Sequence, residues 1–481
     1  MARNVPGSTS PLELRNLPSP AMLQPHSTAT TPADSKGAHA HSAPAPPVDQ
    51  LPMPYDLEPS TTIASRIHTF PEGGLRAWVV VFGSFCVIAS TYGLISSAGL
   101  FQSYWQANQL SAYRSQDIGW ITAVNVFLNL ILGVQIGPLF DKYGPRYLLL
   151  VGAVFYVASL LLLGQCVKYW HFMLVYGILS GMSSALLTTS SLAVVAHWFE
   201  AKRGMASGIA FVGSSVGGIA FPLTLSPMLE KLSWAWAMRI IALVVAVLVV
   251  IGNLCIRGRL PPRKNGGAID LKCFRDMRFT WATVGISWSP WLDTDVYHHA
   301  RLQRADELQR HRDPQCVSLL VQDAQRLDEL IPGSIRGSAL GRSMSGWFSD
   351  RYGRFNTMIL TLIWSLVAVF GLWMPVGNHV VLFYFFAPLF GFGSGSIISM
   401  APVCIGQLCK ADEYGQWYGT SYSLVSFATL LCIPIGGALL PVVGAAGFAA
   451  FWGGVLILSL FSFMMARWAC QEYRWQWRAK I

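Results

Sequence analysis

One motif of this chain returns after 209 positions, each time at the end of an apolar stretch. Gly137-Pro138-Leu139-Phe140-Asp141-Lys142-Tyr143-Gly144-Pro145-Arg146 is echoed by Gly346-Trp347-Phe348-Ser349-Asp350-Arg351-Tyr352-Gly353-Arg354. Each copy sets a Gly, then an Asp with a basic neighbour, then Gly and Arg. A chain that builds the same polar corner twice carries two copies of one helical unit, and internal repetition outranks any local signal in deciding the fold.

The solvent of those units follows from composition. Of 481 residues, 53% are hydrophobic and only 12% charged, with mean hydropathy +0.44; a soluble globular chain of this length is less apolar. Runs of about 20 apolar residues, enough to cross a hydrocarbon core as helix, fall near 78–101, 118–140, 147–167, 172–196, 204–226, 237–256, 357–376, 380–404, 416–440 and 447–466. Parallel repeats that rock about a shared axis are one construction of secondary transporters, so the repeat points to transport.

Basic residues orient the spans. Loops 141–146, 197–203, 257–279, 349–356 and 405–415 hold 14 Lys and Arg, whereas the intervening loops hold Arg114, Lys168 and Lys231. Basic short loops stay on the cytoplasmic side, so both termini are expected inside. The net charge of +10 is then topological, and nucleic acid is not an expected partner. Residues 1–70, rich in Pro, Ser, Ala and Thr, read as a disordered cytoplasmic tail. No cleavable signal is apparent, and the first span would serve as one. Nine cysteines lie mostly in apolar runs, without metal or disulfide spacing.

The expected domains are therefore a tail over 1–70, a six-helix bundle over 71–256, a basic loop over 257–279, a second bundle over 280–466 and a cytoplasmic tail over 467–481. The second bundle is interrupted. Phe279 to Ile286 begins as a span, but Asp293, Asp295, Arg301, Arg304, Asp306, Glu307, Arg310, Arg312 and Asp313 follow. At roughly 2.5–3.5 kcal/mol for each charge at a helix centre, that run does not insert. Membrane-like sequence resumes at Gly337. The preserved spacing of the repeat favours a reading-frame or exon-boundary artefact over 288–336, and a genuine cytoplasmic insert in a ten-span chain is the other reading.

At a helix-loop-helix corner, Gly137 and Gly346 let a neighbouring helix approach closely. Asp141 and Asp350 can face the positive N-terminal end of another helix. Lys142, Arg146, Arg351 and Arg354 can pair with carboxylates or lipid phosphates, while Gly144 and Gly353 give the turn its freedom. The duplicated pattern resembles the signature of the major facilitator superfamily. That resemblance implies an all-α membrane fold of two six-helix bundles related by a pseudo-two-fold axis, here with helices seven and eight disrupted, and a cytoplasmic gate at the two corners.

A second stretch narrows the resemblance. Trp198-Phe199-Glu200-Ala201-Lys202-Arg203-Gly204-Met205-Ala206-Ser207-Gly208 is similar to the fifth-helix signature of monocarboxylate-porter-type transporters. Glu72-Gly73-Gly74-Leu75-Arg76-Ala77-Trp78 is similar to that family's first-helix motif in its fungal form. The spacing of Gly204, Gly208, Gly213 and Gly217 makes a smooth ridge on helix five, matched by Gly415 and Gly419 on helix eleven. Such ridges read as close helix packing.

In the resembled fold the cavity-facing helices carry Tyr92, Ser96, Asn125, Asn129, Thr188, Ser394, Ser399 and Tyr422, a polar but uncharged set of candidate pore-lining groups. The animal monocarboxylate transporters carry a Lys on the first helix and an Asp-Arg pair on the eighth. Here 78–101 has no ionisable residue and only Arg342 stands near helix eight, so short monocarboxylates fit poorly. The expectation is a secondary active transporter of a small organic solute, an organic acid, vitamin-like compound or secondary metabolite, working by alternating access. The resemblance further implies a co-transported proton, surrounding membrane lipid, a monomer and a plasma-membrane location. No cofactor, metal or catalytic residue is expected, and His298, His299 and His311 match no ligand spacing. The alternatives are a non-transporting membrane sensor on the same scaffold and a transport-defective product of an incorrect gene model.

Overall fold

The computed structural model describes residues 72–259, 271–288, 336–374, 380–411, 413–474, 476 and 479. All of them belong to one compact unit, His68–Ile481. The expected tail 1–70, and the polar segment 288–336 apart from Trp288 and Arg336, lie outside the described residues.

The first half is six helices: α1 (Leu75–Ala107, interrupted at Ser96 and Ser97), α2 (Asp117–Tyr143), α3 (Pro145–Leu163), α4 (Tyr169–Trp198), α5 (Arg203–Lys231) and α6 (Trp234–Cys255). A short 3-10 turn, Leu271–Arg275, leads into the second half. There follow α7 (Met277–Trp288), α8 (336–352), α9 (Arg354–Trp373), α10 (Val380–Leu408) and α11 (Tyr414–Cys470). Nine described helices are long and apolar enough to cross a membrane, and they coincide with nine of the ten expected spans.

The tenth expected span, 416–440, lies in the first part of α11, which continues without a non-helical residue through 447–466. Both ends of this 57-residue element lie at one end of the bundle, since Gln416 donates to Asp141 and Arg467 donates to Asn356 Oδ1 in the first turn of α9. The sequence expected a boundary near 440–447. An element that leaves one end and returns to it has the length for two crossings, which fits the two expected spans.

Each half packs on itself by small residues. In the first, α1 lies along α5, with Gly93 against Gly217 and Gly213 against the Phe85 carbonyl. In the second, α7 lies along α11 and α9 against α10. The halves meet along two seams: α2 against α11, and α5 against α8 and α10. The outer helices α3 and α6 leave Leu150, Val154, Leu243, Val250 and Leu254 exposed, the surface that a multi-pass protein turns to lipid.

Candidate functional site

The two repeated corners come together at one end of the bundle, each on the helix start of the opposite half. At the end of α8, Asp350 accepts two backbone N–H groups from the first turn of α5. Gly204 donates to Oδ1 at 2.9 Å and Met205 to Oδ2 at 2.8 Å. At the end of α2, Asp141 Oδ2 accepts from the Gln416 N–H at 3.2 Å, in the first turn of α11. The first N–H groups of a helix have no intrahelical acceptor and carry its positive partial charge, so a carboxylate is their natural partner. Arg203, which opens α5, lies over the ring of Tyr414, which opens α11. Both corners therefore share one end of the molecule.

The corner geometry is repeated as well. Gly144 and Gly353 adopt φ of 77° and 104° at the residue before α3 and α9. Their N–H groups close the preceding helix on Phe140 and Ser349. A Cβ at either position would be strained. Between the halves, a Cβ on Gly137 would strike the Gly415 carbonyl and one on Gly346 the Gly204 carbonyl. These seams are backbone against backbone.

Cations finish the arrangement. Arg354 donates to the Glu200 carbonyl at 2.5 Å. Arg203 is buried and bridges the Phe199 carbonyl of its own half and the Gly406 carbonyl at the end of α10, at 3.2 and 2.6 Å. Lys142 and Arg351 rest on the rings of Tyr143 and Trp347 in their own corners, and Arg146 is exposed. Burial pushes the Asp350 carboxyl above the ordinary carboxylate range, against the pull of the Met205 and Gly204 amides and of Arg354.

The residues expected to form a family signature gather at the same end. Glu72 accepts the N–H groups of Glu200, Ala201 and Lys202, Trp78 lies against Phe199 with ring centroids 5.2 Å apart, and Gly208 packs on the Arg342 carbonyl. Gly73 and Gly74 take positive φ just before α1. Sequence reasoning placed Glu72 in a signature without seeing its partners, because backbone amides 128 to 130 residues away leave no mark in residue identity.

The candidate pore-lining groups divide by chemistry. Ser96, Ser394 and Ser399 donate to carbonyls in their own helices. Thr188 of α4 donates to Asn129 Oδ1 of α2 at 3.0 Å, and Asn125 Nδ2 to the Tyr176 carbonyl at 2.7 Å. Asn125 Oδ1 and Asn129 Nδ2 are buried with no hydrogen-bond partner among the described residues. The ring of Tyr422 lies tilted against that of Tyr418, and Tyr92 against Phe211. Arg342 of α8 is buried at the other seam, donating to the Phe211 carbonyl and to Ser214 Oγ of α5.

Comparisons with known proteins bear on the family and the fold. The family model of the Major Facilitator Superfamily matches residues 80–297 and 333–478. The riboflavin transporter MCH5 of Saccharomyces cerevisiae is 30% identical over 449 residues, 88% of this chain and 84% of that protein. The fujikurins efflux protein of Gibberella fujikuroi is 30% identical over 392 residues, covering 80% and 81%. The solved human organic anion transporter MFSD10 (TETRAN) superposes with TM-score 0.62 at 14% identity, over 81% of this chain and all of that one, a likeness of fold.

Proposed function

The chain belongs to the Major Facilitator Superfamily and is a secondary transporter of a small organic solute, and from that premise we propose that the paired corners are its cytoplasmic gate, in a protein of the monocarboxylate-porter type. The observation that carries this reading is the reciprocal docking of Asp141 on the α11 start and Asp350 on the α5 start. Each half closes the other by the same contact. In the arrangement described here that end is shut, and breaking both contacts opens it.

The bundles are 71–256 and 280–466, with both termini in the cytoplasm and the monomer in the plasma membrane. Basic loops at the docked end support that orientation. The solute path runs along the seams, past Asn125 and Asn129, whose spare acceptor and donor suit a polar, uncharged part of a cargo. Relatives named for riboflavin and for fujikurins support a vitamin-like heteroaromatic or a secondary metabolite as that cargo. Proton coupling rests on the family resemblance, since described carboxylates lie only near the helix ends.

Metabolite profiling of a deletion strain identifies the cargo, and its flux then tests the gate. Asp350→Asn combined with Arg354→Ala is expected to lower flux about ten-fold or more while surface amount falls far less, as loss of several charge-assisted hydrogen bonds requires. Flux that follows surface amount would reduce these residues to turn formers.

A further inference from the structure

We propose that Glu72 is a positioning residue for the cytoplasmic gate: its carboxylate holds the loop ahead of α5 in the shape on which Asp350 and Arg354 of the other half dock. The inference rests on the gate reading above and extends it to a residue of the first half whose carboxylate is near enough to Asp350 to repel it.

Glu72 Oε1 accepts from the N–H groups of Glu200 and Ala201 at 2.8 and 2.7 Å, and Oε2 from that of Lys202 at 3.0 Å. Asp350 takes the next free amides, those of Gly204 and Met205. Five backbone donors within six residues thus converge on two carboxylates, one from each half. Consecutive amides aimed at one point form an anion-binding nest, and here the anion is a side chain of the same protein.

The Glu200–Ala201 peptide is gripped from both sides. Its N–H, that of Ala201, goes to Glu72 at 2.7 Å, and its carbonyl, that of Glu200, receives the Arg354 guanidinium at 2.5 Å. With the amide end fixed, the carbonyl points where Arg354 arrives. Without Glu72, three amides lose their acceptor and the carbonyl is free to turn.

The backbone at Glu72 shows that the position is held. Glu72 has φ of 50°, followed by Gly73 at 154° and Gly74 at 85°. A non-glycine residue in the left-handed region is uncommon and persists where surrounding contacts over-determine it. One turn into α1, Trp78 packs on Phe199, so the start of α1 is fastened to this loop twice. Motion of α1 is thereby tied to the loop on which the gate closes.

The reporter is Ser349, buried at the seam against Gly204. The full chain carries Ser349→Cys, with its native cysteines replaced, in membrane vesicles presenting the cytoplasmic face. An impermeant maleimide reads how often the seam parts. Glu72→Gln is expected to raise the labelling rate about five- to ten-fold, the scale of one or two net hydrogen bonds, and Glu72→Asp is expected to raise it less. Combining Glu72→Gln with Arg354→Gln should give no more than the larger single effect, because both act through the Glu200–Ala201 peptide. A multiplicative double mutant would overturn the proposal and leave Glu72 a loop cap. Asp350→Ala separates the two readings. If it raises labelling and Glu72→Gln does not, the positioning role falls and the gate stands. If neither raises labelling, the gate reading falls and this inference with it. Should Glu72→Gln fail to reach the membrane, Glu72→Asp carries the same cycle with Arg354→Gln, read by the same rule.

Discussion

At the scale of single residues, the seams depend on what is missing. A Cβ on Gly137 would meet the Gly415 carbonyl, a backbone atom that cannot swing aside, whereas one on Gly454 meets nothing. Gly137→Ala is therefore expected to hold the closed end apart and lower flux about ten-fold or more at near-normal surface amount, since overpacking costs about 1–3 kcal/mol. Gly454→Ala should leave flux unchanged and stabilise α11 by about 0.5–1 kcal/mol. Uptake and thermal unfolding of the two variants check this, and equal behaviour would refute the backbone seam. The glycines and aspartates of the corners were legible because they occur twice at one offset. The partners of Glu72 and Arg203 were not: both side chains bind main-chain groups, at 200–202 and at Phe199 and Gly406, and main-chain groups are the same whatever the residue. Lys142 and Arg351, read as able to pair with carboxylates or lipid phosphates, lie over their own Tyr143 and Trp347, a partner already within one turn.

At the scale of elements, the glycine ridge of α5 has two faces with different duties. Gly204 and Gly208 press on α8 across the seam, while Gly213 and Gly217 press on α1 within the first half. The sequence showed the ridge but not its division, because the change of face is set by which helix lies alongside. Gly208→Val should obstruct closure, lowering flux with little change in unfolding temperature. Gly217→Val should prise α1 from α5 against the Ala89 carbonyl and Gly93, lowering the unfolding temperature by several degrees, as loss of about 1–3 kcal/mol from overpacking does. The opposite assignment of the two effects would show that the α5–α8 contact is permanent packing. The spans themselves were legible from hydropathy, because about 20 apolar residues are what one crossing needs.

At the scale of the whole molecule, the two seams are homologous but unequal. Gly133 and Arg342 stand 209 residues apart, at the same place in α2 and α8. One seam sets Gly133 on Gly419, backbone to backbone, and the other inserts the Arg342 side chain toward Phe211 and Ser214 of α5. A symmetrical pair of contacts would open together, while an unequal pair lets one side respond to charge and the other only to shape. That division needs a complete second half, and here the chain sets its own limit. Nine charged residues from Asp293 to Asp313 stand between α7 and α8 in the sequence, and at roughly 2.5–3.5 kcal/mol per charge such a run is not expected to insert. The chain as written is therefore expected to transport poorly. Replacing 289–335 with two apolar spans joined by a short polar loop should raise uptake about ten-fold or more at equal surface amount, because the bundle opposite α1–α6 would then close its own circuit of helices. Equal uptake by the two chains would show that the seams α2–α11 and α5–α8 suffice for transport.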